Sequence, residues 1–313
     1  MNEMKYCFGV DVGGTTVKMG YFQTDGVLLD KWEIPTRKHT AEDVIISDIA
    51  AAILKKCEEC KVQKEEIVGI GVGVPAAVVG EGYVRKAANL GWQDKNIKDE
   101  LEAQTGIPVK VGNDANVAAL GEMWKGGAEG YENLVMVTLG TGVGGGIIVN
   151  GRILTGTNGG CGEIGHTLAN RNETECCGCG KKGCLEQYAS ATGIALLAKR
   201  RLAVNAKPTV LTAESVTAKD VFDAVKTGDE VAIEIAEEFG SYLGYALADF
   251  GAILDPEIFV LGGGVSKAGE ILFTYIKKYY DERTFFTCKD VKFALAKLGN
   301  DAGIYGAAKM VID

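Results

Sequence analysis

One histidine and three cysteines lie close together near the middle of this 313-residue chain. His166 is followed by Cys177, Cys179 and Cys184, and glycines separate the cysteines. Three thiolates and one imidazole are typical ligands of a structural Zn²⁺ ion, and glycines permit the tight turns that so short a loop requires. The spacing therefore predicts a closed, tetrahedral zinc site, with the adjacent Cys176 as an alternative ligand.

The other cysteines and the second histidine form no comparable set. Cys57 and Cys60 are spaced as a C-x-x-C, but they fall within a helical pattern without a second pair, so we interpret them as reduced helix cysteines. We interpret His39 as an ordinary surface or core residue. Nine cysteines, an odd number with tight local clustering, favour metal binding in a reducing compartment over disulfides.

Two carboxylates flank the predicted zinc loop. Glu163 precedes His166 by three residues, and Glu186 follows Cys184 by two. A bound zinc ion would hold both carboxylates and the imidazole in one polar cluster. Such a cluster suits a ligand that carries several hydroxyl groups.

A glycine-rich turn near the start of the chain has the composition of a phosphate site. Glycine lets backbone N–H groups approach phosphate oxygens, and an acidic residue at a strand end can hold Mg²⁺ through water. No helix follows the turn directly, so it is neither a Walker A loop nor a dinucleotide fingerprint, and a plain hairpin is the alternative. The residues in question are Asp11, Gly13, Gly14 and Thr15.

Two further glycine turns favour the nucleotide interpretation. The second occupies the position in the second half of the chain that the first occupies in the first half, which favours a phosphate clamp over coincidence. The third lies between a predicted strand and a helix, where a backbone can approach an adenosine closely. Their residues are Gly140, Thr141 and Gly142 in the second turn and Gly262, Gly263 and Gly264 in the third.

Asn113 and Asp114 stand at the junction of a predicted strand and a predicted helix. Ligands of open α/β sheets bind at the carboxyl ends of strands, where a carboxylate can accept a proton from a bound hydroxyl. Asn and Asp are also favoured as helix N-caps, and spacing alone favours that interpretation. Asn89 is, on the same basis, most simply a turn residue.

Two strand-turn-strand patterns divide the chain into similar halves. Alternating apolar residues surround the first glycine turn over residues 10–21, and residues 134–151 repeat the pattern. Helices are predicted over residues 44–57, 115–124, 185–202, 218–226 and 230–254, and a buried strand over 67–74. The alternation of strands and helices, and a repeat of half the chain, predict an α/β fold of two similar domains that share a cleft.

The repeat places the domain boundary near Asn113. We therefore expect a smaller α/β domain of residues 1–113 and a larger one of residues 114–299 that carries the zinc loop. A helix of small residues at about 300–313 is expected to pack back on the smaller domain.

Composition narrows the classes of function. Lys and Arg number 33 against 42 Asp and Glu, and this formal net charge of −9 argues against a general nucleic-acid surface. The longest nearly apolar stretch, residues 67–80, is too short to span a bilayer, and the first residues lack a secretory signal pattern, so we expect a cytoplasmic protein. The 43 glycines follow no Gly-X-Y period and must serve specific turns.

Taken together, the motifs resemble those of the ROK family of sugar kinases, within the actin-like ATPase superfamily, and most of all its bacterial glucokinases. The resemblance spans nearly the whole chain, in the order Asp11-x-Gly-Gly-Thr, Asn89-Leu-x-Trp, Asn113-Asp-Ala-Asn, Gly140-Thr-Gly-x-Gly, Glu163-x-Gly-His, Cys177-x-Cys-Gly-x-x-Gly-Cys-x-Glu and Gly262-Gly-Gly. It implies two similar actin-like (ribonuclease H-like) domains with an interdomain cleft.

The resemblance also implies roles for these residues. It makes Asp114 the catalytic base instead of a helix cap, and Asn89 a sugar ligand instead of a turn residue. The implied sugar-binding residues are Asn89, Asn113, Asp114, Glu163, His166 and Glu186. The implied ligands of a structural Zn²⁺ are His166, Cys177, Cys179 and Cys184, and the three glycine turns would bind ATP with Mg²⁺. The expected reaction is ATP-dependent phosphorylation of glucose at its 6-hydroxyl.

Several alternatives stay open. A ROK kinase for another hexose (fructose, allose, N-acetylmannosamine or N-acetylglucosamine) is the first, because the shape of the cleft decides the 2-substituent. The motifs do not decide between ATP, ADP and polyphosphate as donor. A sugar-responsive transcription regulator is disfavoured, because only ten residues precede Asp11 and the chain is acidic. The family resemblance suggests a homo-oligomer, dimer or tetramer, with no nucleic-acid or membrane partner.

Overall fold

The computed structural model describes residues 5–38 and 44–312. The interpretation of His39 lies outside these residues. The described chain divides into two compact units. Unit 1 comprises the described residues up to Glu132, Gly146–Gly162, and the described residues from Lys297 onward. Unit 2 comprises Asn133–Gly145 and Glu163–Ala296.

Strands and helices alternate along the chain, as predicted for an α/β fold. The strands are β1 (Tyr6–Val12), β2 (Thr16–Gln23), β3 (Leu28–Pro35), β4 (Ile67–Val74), β5 (Val78–Val79), β6 (Tyr83–Ala87), β7 (Trp92–Asn96), β8 (Val109–Asn113), β9 (Leu134–Leu139), β10 (Val143–Val149), β11 (Arg152–Ile153), β12 (Ile258–Gly262) and β13 (Lys292–Leu295). The α-helices are α1 (Ile45–Cys60), α2 (Ile97–Thr105), α3 (Asp114–Lys125), α4 (Glu186–Ala189), α5 (Ala191–Val204), α6 (Ala218–Lys226), α7 (Glu230–Leu254), α8 (Ile271–Arg283) and α9 (Ala302–Ile312).

Unit 1 is built on a five-stranded sheet with the order β3-β2-β1-β4-β8. β1 and β2 are antiparallel across the first glycine turn, whereas β1, β4 and β8 are parallel. Helix α9 lies directly against β1 and β4. A Cβ atom on Gly9 would be 1.9 Å from the carbonyl oxygen of Ile304, and one on Gly71 would be 1.7 Å from that of Ala307. Only glycine permits so close a contact between helix and strands.

The first unit extends further along the chain than the boundary expected near Asn113. Residues 114–132 belong to unit 1 because α3 packs against α9 at backbone distance. A Cβ atom on Gly306 would be 1.7 Å from the carbonyl oxygen of Val117. The buried Glu122 carboxylate on α3 then accepts hydrogen bonds from the backbone N–H groups of Lys297 (2.9 Å) and Leu298 (2.8 Å), where the chain returns to unit 1. These contacts join residues that are far apart in sequence.

The second five-stranded sheet has the order β11-β10-β9-β12-β13. In this order, β11, β10, β9, β12 and β13 take the places that β3, β2, β1, β4 and β8 take in the first sheet. β9, β12 and β13 are parallel. The repeat that the sequence indicated is therefore confirmed in the topology. A small antiparallel sheet, β5-β6-β7, also belongs to unit 1.

The helix predicted over residues 185–202 is instead two helices, α4 and α5. Ser190 has an extended backbone (φ −75°, ψ 167°), and its side chain accepts a hydrogen bond from the N–H of Gly193. Ser190 is thus the N-cap of α5, and a continuous helix is broken there. The break leaves α4 as a single short turn that begins at Glu186.

Long helices cover unit 2. α7 is packed against α8 so closely that a Cβ atom on Gly240 would lie 2.6 Å from the carbonyl oxygen of Tyr275. Among the described residues, no helix combines the length and apolar character that crossing a lipid bilayer requires.

Candidate functional site

The predicted metal ligands come together in unit 2. One ligand atom from each of His166, Cys177, Cys179 and Cys184 lies within 4.8 Å of the other three. The Sγ atoms of Cys179 and Cys184 are 3.6 Å apart, and Nδ1 of His166 is 3.9 Å from Sγ of Cys177. Ligand atoms around a tetrahedral zinc with Zn–S bonds near 2.3 Å are separated by about 3.8 Å. A disulfide needs about 2.0 Å, so the spacing fits a four-ligand metal ion and not a disulfide.

Tight turns hold the three cysteines in place. The N–H of Cys177 donates to the carbonyl of Lys181 (2.7 Å), and that of Gly180 donates to the carbonyl of Cys177 (2.8 Å). Gly183 has φ +75°, and a Cβ atom there would be 1.8 Å from the carbonyl oxygen of Asn170. This glycine cannot be replaced without displacing the loop backbone. Cys176, the alternative ligand, is exposed and pairs through its backbone with Lys182.

The thiols differ in their acidity because their surroundings differ. Burial raises the pKa of Cys177 and of Cys184, whereas a backbone hydrogen bond from Lys181 lowers the pKa of Cys179. A bound divalent cation favours the thiolate form of a ligating cysteine and outweighs such burial effects.

The two predicted carboxylates lie beside this cluster. Oε2 of Glu163 is 3.9 Å from Nε2 of His166, the ring nitrogen other than the one near Cys177. Oε1 of Glu186 accepts from Sγ of Cys177 (3.5 Å), and Oε2 accepts from the N–H of Val143 (3.0 Å). Unit 2 therefore presents two carboxylates and an imidazole held by one loop.

The second glycine turn touches this group. A Cβ atom on Gly142 would lie only 2.2 Å from Oε2 of Glu186. The carbonyl of Gly140 accepts from the N–H of Ala191 (2.8 Å) at the start of α5, and the carbonyl of Thr141 accepts from the hydroxyl of Thr192. The turn is thus fixed to the segment that carries Glu186.

The third glycine turn follows β12, which pairs in parallel with β9, the strand that leads into the second turn. Gly263 has φ +82°, and a Cβ atom there would be 2.5 Å from the carbonyl oxygen of Leu139. The carboxyl ends of neighbouring parallel strands thus carry both turns, as expected for a ligand site of an α/β sheet.

A buried polar network that the sequence did not reveal supports the loop. The Glu173 side chain, 4% exposed, accepts from both terminal nitrogens of Arg200 (2.9 and 3.2 Å) and from the hydroxyl of Tyr188 (2.5 Å). The Arg200 guanidinium, with the N–H of Glu175 and the Tyr188 hydroxyl, lowers the pKa of Glu173 to about 2. Oε1 of Gln187 accepts from the N–H groups of Gly183 (2.8 Å) and Cys184 (3.1 Å).

In unit 1, Asn113 and Asp114 begin helix α3. Oδ1 of Asn113 accepts from the N–H groups of Ala115 (3.0 Å) and Asn116 (3.2 Å), and its Nδ2 donates to the carbonyl of Ala76 (3.3 Å). The cap interpretation therefore holds for Asn113. Asp114 is the first helical residue, and its Oδ1 accepts from the N–H of Ala115 (2.8 Å). The positive end of the helix dipole favours a carboxylate there.

Asp11 is the last residue but one of β1 and lies close enough to Asp114 for the two charges to interact. Burial raises the pKa of Asp11 to about 6, the Lys18 ammonium opposes this shift, and the Asp114 carboxylate adds to it. Two such carboxylates at the carboxyl ends of parallel strands have the chemistry to hold a hydrated Mg²⁺ ion and to accept a proton.

The first glycine turn and Asn89 lie near one another in unit 1. The hydroxyl of Thr36 donates to the carbonyl of Gly13 (2.7 Å) and fixes the turn. Nζ of Lys38 donates to the carbonyl of Asn89 (3.4 Å) and would be 3.6 Å from a Cβ atom on Gly14. The Asn89 side chain is exposed in the turn between β6 and β7. The sequence predicted no role for Lys38, because no motif includes it.

Comparison with known proteins places this arrangement in a family. The model of the ROK family matches residues 7–313, so the chain belongs to the ROK family. It is 45% identical to a glucokinase of Halalkalibacterium halodurans over 98% of this chain and 95% of that protein, and 36% identical to a glucokinase of Streptomyces coelicolor over 98% of both.

A solved structure adds to these relatives. The chain resembles a ROK family glucokinase of Streptomyces griseus in complex with glucose and AMPPNP, with a TM-score of 0.73, 33% identity and 98% of each chain covered. The expected fold class, α/β with two actin-like domains, and the resemblance to ROK sugar kinases are confirmed.

Proposed function

We propose that the protein is an ATP-dependent hexose kinase that phosphorylates glucose at its 6-hydroxyl. Family membership and the two glucokinase relatives support the reaction, and the solved neighbour with glucose and AMPPNP supports ATP as the donor. The observation in this chain that carries the proposal is the position of Asp114, at the first residue of α3 and within electrostatic reach of Asp11.

Asp114 is the general base in this proposal. The sugar 6-hydroxyl oxygen attacks the γ-phosphorus in line, its proton passes to the Asp114 carboxylate, the bond from the γ-phosphorus to the bridging oxygen breaks, and ADP leaves. The hydrogen bond from Ala115 to Oδ1 fixes the orientation of the carboxylate before the sugar binds. The Asn113 cap keeps the helix end in place beneath it.

The glycine turns bind the nucleotide. The N–H groups of Gly13 and Gly140 close the turns, donating to the carbonyls of Thr16 and Gly142 (both 3.0 Å). The N–H groups of Gly14, Thr15, Thr141 and Gly142 would then be presented to phosphate oxygens. Gly262, Gly263 and Gly264 lie against the adenosine. Asp11 would hold Mg²⁺ through water, and the ion, when bound, neutralises the charge that develops on the phosphates. These local donors allow a chain of net charge −9 to bind an anion.

Polar side chains recognise the sugar in this proposal. Asn89 and Asn113 supply amide groups, and Glu163, His166 and Glu186 supply acceptors and a ring nitrogen for the sugar hydroxyls. The geometry within unit 2 supports this role, since Nδ1 of His166 lies by Cys177 and Nε2 lies by Glu163. Metal binding through one nitrogen sets the tautomer of the other.

His166, Cys177, Cys179 and Cys184 would hold a structural Zn²⁺ ion. Four protein ligands would leave no position for a reacting water. Bound there, the ion would tie the loop that carries Glu163 to the turn that carries Glu186. Metal analysis of the pure protein, with one zinc expected per chain, tests this assignment.

The proposal is tested by ADP release with a panel of sugars. Glucose, mannose, fructose, N-acetylglucosamine and N-acetylmannosamine are compared at saturating ATP. We expect the highest kcat/KM with glucose. A clear preference for another sugar would refute glucose as the substrate, and no ADP release with any of them would refute the kinase itself.

A further inference from the structure

Unit 1 contains a cavity that the proposed reaction does not use. It has a volume of about 560 Å³ and runs along β8, with residues 80–82, residues 151–153 and Thr155 contributing to its wall. Within the described part of the chain, its lining includes none of the residues assigned above to the sugar, the nucleotide or the zinc ion. The volume falls in the range of pockets that hold small molecules.

The floor of the cavity is apolar. It is formed by side chains from three elements and the C-terminal helix, namely Val109, Val111, Leu120, Ile153 and Met310. Such a floor offers no partners for the hydroxyl groups of a sugar, so a hexose would lose hydrogen bonds to water there without replacement. It suits instead the hydrocarbon part of a ligand.

The lining carries a net positive charge in an acidic protein. Lys98, Lys110 and Arg152 contribute three positive charges and Glu81, which pairs with Lys98, one negative charge. The lining thus has a charge of +2, whereas the chain as a whole has −9. A local positive field of this kind attracts an anionic group.

A backbone N–H group faces the same space. β8 is an edge strand, and the N–H of Ile70 in β4 donates to the carbonyl of Pro108. The N–H of Val109 points the other way and donates to the Glu102 carboxylate (2.8 Å). Because backbone groups of a strand alternate in direction, the N–H and C=O of Val111 also point to the outer edge, where Val111 lines the cavity.

We propose that this cavity binds an amphipathic anion, a small molecule with a carboxylate, sulfonate or phosphate group on an apolar body. The anionic group lies at the guanidinium of Arg152 and the N–H of Val111, and the apolar body covers the floor. Arginine and a backbone N–H together match the planar or tetrahedral oxygens of such a group.

The test uses 8-anilinonaphthalene-1-sulfonate as the probe and its uncharged counterpart N-phenyl-1-naphthylamine as a second ligand. Fluorescence titration measures both. Arg152→Gln removes the charge, and Thr155→Trp fills the cavity from an exposed position of its wall. Arg85→Gln, an exposed arginine of the same unit outside the described lining, is the matched control. Circular dichroism verifies that each variant is folded.

We expect one saturable site for the sulfonate. Arg152→Gln weakens its affinity about tenfold and leaves that of the uncharged counterpart unchanged, as the loss of one charge-assisted hydrogen bond implies. Thr155→Trp weakens the binding of both ligands, and Arg85→Gln changes the affinity of neither. The proposal is overturned if no saturable binding occurs, or if the affinity for the sulfonate is insensitive to either Arg152→Gln or Thr155→Trp. Should Thr155→Trp fail to fold, Ile153→Phe takes its place as the filling variant.

Discussion

Asn113 and Asp114 have different roles at the start of α3, although the sequence alone allowed either residue to be the helix cap. The Asn113 side chain closes the end of α3 with two hydrogen bonds, and this leaves the capping role filled. Asp114 then begins the helix with its carboxylate at the positive end of the dipole, next to Asp11. At the scale of single residues, the cap and the proposed base are neighbours with separate functions.

Asp11 makes stability depend on pH. Burial, opposed by Lys18 and assisted by Asp114, raises its pKa from 3.8 to about 6. Because the folded state then binds more protons than the unfolded state between these values, stability is lost as pH rises through that window. The loss is at most about 3 kcal/mol. Asp11→Asn should therefore raise the melting temperature at about pH 8 without divalent cations, and the gain should vanish below about pH 4.

Thermal unfolding followed by circular dichroism at several pH values measures this effect. Asp25→Asn, an exposed aspartate of the same unit, is the control for a change of charge alone. A melting-temperature difference between Asp11→Asn and the unaltered protein that is the same at acid and neutral pH would show that the burial argument is wrong.

Substitutions of Gly142 and Gly140 test the proposed role of Glu186 in sugar binding, with Gly140 as the matched control. A Cβ atom on Gly142 would be 2.2 Å from Oε2 of Glu186, whereas one on Gly140 has nothing nearer than an oxygen at 4.0 Å. Gly142→Ala must therefore displace the carboxylate, and Gly140→Ala need not. We expect the KM for glucose to rise about tenfold in Gly142→Ala, with a smaller change in kcat. Equal KM values in the two variants, at saturating ATP, would remove Glu186 from the sugar site.

At the scale of elements, the short helix α4 depends on the loop in front of it. Gln187 binds two backbone N–H groups of the cysteine loop, and Tyr188 reaches the Glu173 carboxylate that Arg200 neutralises. Glu186, Gln187 and Tyr188 are consecutive, so one helical turn connects the metal cluster, the Glu173–Arg200 ion pair and a proposed sugar ligand. Loss of the Arg200 charge would leave the buried Glu173 carboxylate without its ion-pair partner, whereas Arg200 is 38% exposed and also lies 3.3 Å from Glu175.

Zinc retention should depend on the loop backbone and not only on its ligands. Gly183 has φ +75° and no room for a Cβ atom, whereas a Cβ atom on Gly178 would meet nothing within 4 Å. We expect Gly183→Ala to lose most of its zinc on dialysis against a mild chelator, and Gly178→Ala to retain about one zinc per chain, as a four-ligand site requires. Elemental analysis measures the metal content. The same zinc content in both variants would contradict the backbone argument.

At the scale of the whole molecule, local signals in the sequence predicted most of the architecture. The two hairpins around glycine turns were foreseeable because strand alternation and turn residues are encoded within about twenty residues. The metal cluster was foreseeable for the same reason, since Cys177, Cys179 and Cys184 are near neighbours in sequence and the structure gathers them with His166.

Features that depend on distant residues were not foreseeable in this way. The extent of unit 1 follows from the packing of α3 on α9 and from the bonds of Glu122 to Lys297 and Leu298, which join the middle of the chain to its end. The bond of Glu173 to Arg200 spans 27 residues and carries no motif. A repeat within one sequence shows that two units exist, but tertiary packing decides where the first one ends.

Asp114→Asn tests directly whether Asp114 is the general base of the proposed kinase reaction. Asp99→Asn is the matched control, because Asp99 lies in the first turn of α2, another helix of unit 1. We expect Asp114→Asn to lower kcat for glucose phosphorylation by about 10² to 10⁴, as loss of a general base does, while glucose affinity by calorimetry changes little and Asp99→Asn keeps full activity. An unchanged kcat in folded Asp114→Asn would show that Asp114 is not the general base.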